Sequence, residues 1–400
     1  MRGLMVPVFL PVLLESAGVA AIFPFIPLLA VELGAGFAGA GAAFALHGLG
    51  GMVIAVPIGL ACARFGEKRL QASAGVALAG CCAGIALVDA ASAFGALLLG
   101  IGACHGAWML ARLAWMSRAA SPQLRGRALA TTGGVTRIGS LIGPIAGGFI
   151  GDRFGLQAIF VVPIVLALVA SALMMRLMPS FPPQGIAAVA GRRGGALGGL
   201  WRELRSGRRI LTTAGAAMVA LSVLRTSRRL IVPLWGAYIG LDVVEIGLVA
   251  GLTAGMEIVM FLPAGIVMDR FGRRFASAPA TLLLAVGLAA TPLTQSFAAL
   301  LAVGLIGAVG NGLGSGINMT YGADLAPAGR TGQFLGLWRL ISDIGSVVGP
   351  TVAGVAAAAL SLAGSALAVG VLGLAGAVAF ALLPEPAEQR RRADAAAGDG

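Results

Sequence analysis

Charge is what this chain has least of. Only 11% of its 400 residues are Asp, Glu, Lys or Arg, against about a quarter in soluble domains. So few charges cannot cover a water-facing surface. Acids are the scarcer kind, 16 against 28 basic residues, which leaves a formal charge of +12. That balance can mark a nucleic-acid binder, but aromatics reach only 6% and the basic residues fall in short clusters between apolar runs, so no nucleic-acid partner is expected. The histidines are only His47 and His105. The four cysteines, Cys62, Cys81, Cys82 and Cys104, form no CxxC pair and read as small packing residues. No metal site or disulfide is expected from them. The GxxxxGK(S/T) loop that cradles nucleotide phosphates is also missing, so the chain cannot drive work by nucleotide hydrolysis itself. It offers neither a cofactor site nor an enzyme's constellation of side chains.

Apolar length is what remains. Hydrophobic residues make up 58% of the chain and the mean hydropathy is +0.95, a composition that calls for the lipid bilayer as solvent. A helix needs about 20 residues to cross a hydrocarbon core. Twelve such segments can be drawn, at 5–31, 39–62, 70–90, 94–116, 129–150, 157–178, 210–234, 245–268, 276–296, 298–321, 333–358 and 362–383, here spans 1 to 12. The first carries Glu15 and Pro7, Pro11, Pro24 and Pro27, so it is taken as a membrane helix rather than a cleaved signal. The fold class expected is an all-α integral membrane protein, with a first bundle at 1–178, a linker at 179–209, a second bundle at 210–383 and a disordered tail at 384–400. The linker holds six arginines, and a short amphipathic helix near Leu200 to Arg205 would lie on the membrane surface. Short loops bearing Arg64, Lys68 and Arg69, then Arg118, Arg125 and Arg127, then Arg270, Arg273 and Arg274, then Arg330, alternate with loops whose only basic residue is Arg153. The basic side is expected in the cytoplasm, together with both termini, in the cell membrane.

The chain also resembles itself when shifted by 206 residues. Pro27 falls on Pro233, Gly59 on Gly265, Arg64-Phe65-Gly66 on Arg270-Phe271-Gly272, and Gly143-Pro144 on Gly349-Pro350. Backbone shape dictates glycine and proline positions, so this register argues for two copies of one folding unit. Both copies put the Arg-Phe-Gly loop on the same side. Each half therefore has an even number of spans, and six fits.

Gly265-Ile-Val-Met-Asp269-Arg270-Phe-Gly272-Arg273-Arg274 resembles the signature loop of the major facilitator superfamily, and its first-half counterpart begins Gly59-Leu-Ala-Cys-Ala63-Arg64-Phe-Gly66. The resemblance covers nearly the whole chain. It implies two pseudo-symmetric six-helix bundles acting as a monomer. It also implies a conformational latch at Gly59, Arg64, Gly66, Gly265, Asp269, Arg270, Gly272 and Arg273. Ala63 replaces the acid normal for the first copy, with Glu67 nearby as a substitute. Gly139, Gly143, Pro144, Gly147 and Gly148 in span 5 are similar to the signature of the antiporter branch. Physically they form a small-residue stripe for close helix packing, repeated more loosely at Gly349 and Pro350 in span 11.

Ionisable groups within membrane helices are costly and mark function or pairing. Glu15, Glu257 and Asp343 are the candidate proton-coupling sites. Glu15 is equally readable as a structural partner of an arginine, Glu257 as a partner of the span-7 arginines, and Asp343 as a pair with Arg339 one turn away. Arg225, Arg228 and Arg229 share one broad side of span 7 and favour an anionic or zwitterionic ligand if they line a cavity. Arg225 is chosen for ligand contact by its depth. His105 and its repeat mate Asn311 occupy positions that line the cavity in the resembling family, Trp108 would add an apolar wall, and Arg339 is a further candidate contact. The function expected is alternating-access transport of a small-molecule substrate coupled to protons, most simply export of an amphiphilic or drug-like compound. The alternatives are transport of a small organic anion held by the span-7 arginines, or a receptor or scaffold that transports nothing.

Overall fold

The computed structural model describes residues 5–119, 121–182, 208–326 and 331–385. The expected surface helix near Leu200, Arg330 and the tail beyond 385 lie outside the described residues, as does the side chain of Arg125. Every regular element among the described residues is helical. In the first half these are α1 (Leu10–Ile22) and α2 (Ile26–Glu32), which share span 1, then α3 (Gly36–Phe65), α4 (Glu67–Ile85), α5 (Ala91–Ala119), α6 (Pro122–Phe154) and α7 (Val161–Leu177). The second half has α8 (Arg208–Tyr238), α9 (Val243–Phe271), α10 (Arg273–Ala290), α11 (Phe297–Leu313) and α12 (Ile317–Leu325), which share span 10, then α13 (Thr331–Ala359) and α14 (Leu362–Leu382).

Helices thus occupy all twelve expected segments. Nine stretches among the described residues are long and apolar enough to cross a membrane on that criterion alone. The helices outside that set are α4, α6 and α8, and each has a visible reason. Helix α4 opens on Glu67-Lys68-Arg69, α6 is rich in Gly, Thr and Ser around Arg137, and α8 carries Arg225, Arg228 and Arg229. Two of these helices, α6 and α8, bound the interior site described below. Apolar side chains such as Leu262, Val371 and Leu382 stand well exposed on the outer faces, as a lipid-facing surface requires. The chain is a multi-pass membrane protein.

Packing reproduces the repeat helix by helix. The pairs α1–α6, α1–α7, α3–α5, α4–α5 and α4–α7 have the mates α8–α13, α8–α14, α9–α11, α10–α11 and α10–α14. The two bundles meet through α3–α13 and α6–α9, which the same repeat exchanges. Their closest crossings lie toward the ends of these helices remote from the Arg-Phe-Gly loops. There Gly41 lies against Pro350 and Gly354, while its mate Gly247 lies against Pro144 and Gly148.

The span-5 stripe serves two interfaces at once. Gly139, Gly143 and Gly147 sit against Ser16, Ala17 and Ala21 of α1, whereas Gly148 faces Val243, Val244 and Gly247 of α9. In the second half Gly345 and Gly349 pack on α8, and Gly354 on α3.

Two spans break, and at different places in the repeat. Span 1 turns at Phe23–Phe25, where Pro24 cannot donate to the preceding turn. Span 10 breaks at Gly314–Gly316, and Gly316 has φ +82°, a left-handed conformation open to glycine. The repeat mates of this break are Trp108-Met109-Leu110, which continue as helix in α5.

Candidate functional site

The bundles enclose a cavity of roughly 300 Å³ walled by α1, α5 and α6 on one side and α8, α9 and α11 on the other. That is the lower end of the range for small-ligand sites. Its polar groups come from a few positions: His105 on α5, Arg228 and Arg229 on α8, Glu257 on α9, and hydroxyls such as Ser16 and Thr136.

Glu15 stands behind this wall. It is 3% exposed, and its Oε1 lies 2.6 Å from Nδ1 of His105, whose ring faces the cavity. A carboxylate is tolerated at such depth only with a proton or a cationic partner. The ring of His47 lies 6.3 Å from that of His105 and meets Phe23 edge-on at 5.0 Å. Its buried Nε2 has no hydrogen-bond partner among the described residues.

Arg228 and Glu257 form the second pair. Nη2 of Arg228 donates to Oε1 of Glu257 at 2.5 Å. The Arg228 stem passes beside Gly307 of α11. Arg229 points into the cavity as well. Its guanidinium lies 5.6 Å from the ring of Phe23, a half-buried residue at the break in span 1, and no carboxylate among the described residues lies within 4.0 Å of it.

Two further interior arginines, Arg225 and Arg137, are engaged by the break in span 10. Arg225 donates from Nη2 to the carbonyl of Gly314 at 2.7 Å, and Arg137 from α6 donates to Oγ of Ser315 at 2.9 Å while lying over Phe261 of α9. A broken helix leaves unpaired carbonyls and the negative end of its dipole, which is where guanidinium groups settle. Arg225, chosen from the sequence for its depth, therefore holds a helix end, and its neighbours Arg228 and Arg229 face the cavity.

The remaining candidates are dispersed. Trp108 is fully buried outside the cavity wall, under the guanidinium of Arg112 at 5.0 Å. Asn311 lies in the last turn of α11, half-buried, with its carbonyl accepting from Ser315 Oγ at 3.4 Å. Arg339 and Asp343 pair with each other at 3.4 Å on a partly exposed face of α13, away from the lining residues. Of the three carboxylates, Glu257 lines the cavity, Glu15 reaches it through His105, and Asp343 does neither.

At the Arg-Phe-Gly end, Gly66 (φ +83°) and Gly272 (φ +101°) make the two turns that the repeat requires. Arg64 and Arg270 lie over their neighbouring phenylalanines, Phe65 and Phe271. Asp269 is 81% exposed and only 3.5 Å from Arg273. The stronger contact of Arg273 is from Nε to Asp324 at 2.8 Å, at the end of α12. In the first half Arg118 donates to the buried Glu67 at 2.7 Å. Positions 67 and 273 are repeat mates, as are 118 and 324. The same bridge is therefore built twice with its charges exchanged. The segments that follow the last helix of each half close over these loops. Pro182 accepts from Arg118, and the Glu385 carboxylate accepts from the backbone N–H groups of Arg273 and Arg274.

The family model described as the Major Facilitator Superfamily matches residues 8–227 and 217–398. An arabinose-proton symporter of Bacillus subtilis (strain 168) is 34% identical over 82 residues, 20% of this chain and 18% of that protein. A sugar efflux transporter A of Dickeya chrysanthemi is 31% identical over 127 residues, 32% of each. The chain thus aligns with about a fifth to a third of these curated relatives. Among solved structures, a D-xylose-proton symporter superposes with a TM-score of 0.75 at 16% identity, covering 96% of this chain and 98% of that one. A bacterial homologue of the human lysosomal transporter Spinster, inward-facing and unoccupied, gives 0.77 at 14% identity, covering 95% and 96%. At these identities the superpositions speak for the fold.

Proposed function

The chain belongs to the Major Facilitator Superfamily, a family of transporters and not of enzymes, and from that premise we propose that it is a proton-coupled secondary transporter working by alternating access. The halves at 1–178 and 210–383 rock about the central cavity, joined through the linker at 179–209. The observation that carries the reading is the Glu15–His105 contact, a buried carboxylate whose partner is in reach of the cavity. A proton entering the cavity lands on His105 and is shared with Glu15; reversal of the bundles returns it to the other side. With the Arg-Phe-Gly loops in the cytoplasm, the glycine crossings close the outer ends, which supports an inward-facing state.

The cargo is a small molecule. The hydroxyl-lined wall and the relatives named for sugars support a hydroxylated compound, taken up or exported. Efflux of an amphiphile, which the span-5 signature implies by resemblance, gains less: Gly139, Gly143, Gly147 and Gly148 all face other helices, a role any cargo would require.

In proteoliposomes carrying an imposed pH gradient, wild-type protein should move members of a labelled panel of pentoses, hexoses and sugar acids against their gradients. Glu15→Gln should abolish that coupled flux while leaving binding intact. Coupled flux unchanged by the substitution refutes the proton role.

A further inference from the structure

We propose that Arg229, joined by Arg228, is a binding site for an oxyanion group on the cargo, and that Glu257 is the internal anion which that group displaces. This deepens the transporter reading and rests on it.

The charges around Glu257 are unmatched. Glu257 on α9 is faced by Arg225, Arg228 and Arg229 from α8 and by Arg137 from α6, and α11 carries no ionisable residue. Four cations therefore surround one carboxylate where each isolated charge is expensive. Three have hydrogen-bond partners among the described residues. Arg225 holds the Gly314 carbonyl, Arg137 holds Ser315, and Arg228 holds Glu257. Among the described residues Arg229 has only the face of Phe23, which satisfies none of its five N–H donors. It is exposed, and the space it is exposed to is the interior cavity. A guanidinium so placed binds carboxylates and phosphates, and binds them in pairs of hydrogen bonds.

Adjacency supplies the coupling. Arg228 and Arg229 both line the cavity, so an oxyanion seated on Arg229 competes with Glu257 for Arg228. Once displaced, the Glu257 carboxylate takes one proton from cavity water. One anion and one proton then bind together, and the site's net charge does not change. Glu15 and His105 sit across the cavity and remain available for a separate proton.

The test is equilibrium binding, which needs no transport. Purified protein in nanodiscs is titrated by thermal shift and calorimetry with matched probes that differ in the oxyanion alone: galacturonate against galactose, succinate against succinamide, benzoate against benzyl alcohol. At least one oxyanion should bind at least ten-fold more tightly than its neutral mate, and its affinity should fall as pH rises. Arg229→Gln should erase that preference, a loss of roughly ten- to hundred-fold for a charge-assisted contact, and Arg229→Lys should restore part of it. Glu257→Gln should tighten oxyanion binding at high pH and flatten its pH dependence. The proposal is overturned if no oxyanion outbinds its mate, or if Arg229→Gln leaves the preference intact in folded protein. The Glu15→Gln flux experiment is independent of either outcome, so failure here leaves the proton-coupled reading standing.

Discussion

Alanine at Gly41 and Gly247 should open the outer end of the cavity. A Cβ on Gly41 would run into the carbonyl of Pro350 and lie 3.0 Å from Cα of Gly354, and one on Gly247 would lie 2.5 Å from the Pro144 carbonyl oxygen and 3.1 Å from Cα of Gly148. Ordinary Cβ contacts begin at 3.4 Å. The facing backbones must therefore part by about 1 Å, and overpacking of this kind costs about 1–3 kcal/mol. Both crossings lie between the bundles, so the cost falls on the state in which these ends are closed and spares the one in which they are apart. Each substitution then shifts the equilibrium between the two states by roughly 5- to 150-fold. The two sites are repeat mates in separate interfaces, so their effects should nearly add. The assay is labelling of Val232→Cys, a cavity position, in a background whose four native cysteines are replaced. An impermeant maleimide is applied from the side opposite the Arg-Phe-Gly loops. Labelling should accelerate in each alanine variant and further in the pair. An unchanged rate in protein that elutes as a folded monodisperse species would refute the assignment of these glycines to a gate. Loss of folding would refute it too, because none of the intra-bundle pairings depends on these two contacts.

Two further predictions concern the Arg-Phe-Gly end. Breaking a buried pair leaves an uncompensated charge, so Glu67→Arg alone should destabilise the protein by about 3 kcal/mol; adding Arg118→Asp rebuilds the second half's version of the bridge and should recover most of the loss in apparent melting temperature. A double variant as unstable as the single one would contradict the exchange of charges between repeats. Glu385→Ala removes a side-chain cap from the start of α10 and should cost about 1 kcal/mol, read as a lowered melting temperature; no change would show that solvent serves those two N–H groups as well.

The apolar segments and the repeat made the helices legible, because both leave marks at single positions: runs of some 20 apolar residues, and Gly and Pro where backbones touch or turn. Charge partners were harder. Arg225 and Arg229 are one turn apart on the same stripe of α8, and depth along the helix favoured Arg225. What separates them is the break at Gly314–Gly316, which turns the Gly314 carbonyl toward Arg225 and leaves Arg229 beside Phe23. The Gly-Ser-Gly that makes this break stands in the sequence with Trp108-Met109-Leu110 as its mate, a contrast that could have exposed it. Glu15 and His105 lie 90 residues apart with nothing local to join them. Trp108 followed the face of His105 by helical spacing, yet α5 turns that edge into the bundle, where Arg112 covers it.

At the two outer crossings between the bundles glycine recurs in both halves, because the missing Cβ allows the approach; Gly41 and Gly247, Gly148 and Gly354 are such pairs. An ion pair asks for less. Glu67 with Arg118 does the same mechanical work as Arg273 with Asp324, so drift can exchange the signs without loss, and a search for identical residues misses the equivalence. Around the cavity the two halves have no such freedom. Glu15 stands against Leu221, His105 against Asn311 and Glu257 against Gly51, and in each case only one half holds an ionisable group. A symmetric scaffold can rock with equal halves, but binding a proton and a cargo in one cavity needs unlike walls, with the carboxylate–histidine contact on one bundle and the cavity-lining arginines, Arg228 and Arg229, on the other. The polarity of the cavity therefore follows from where the repeat fails, and it predicts that moving Glu257 to its mate by Gly51→Glu with Glu257→Gly will preserve folding poorly: the transplanted carboxylate would face α5, where Gly102 and Gly106 pack against Gly51, with no arginine of α8 to meet it.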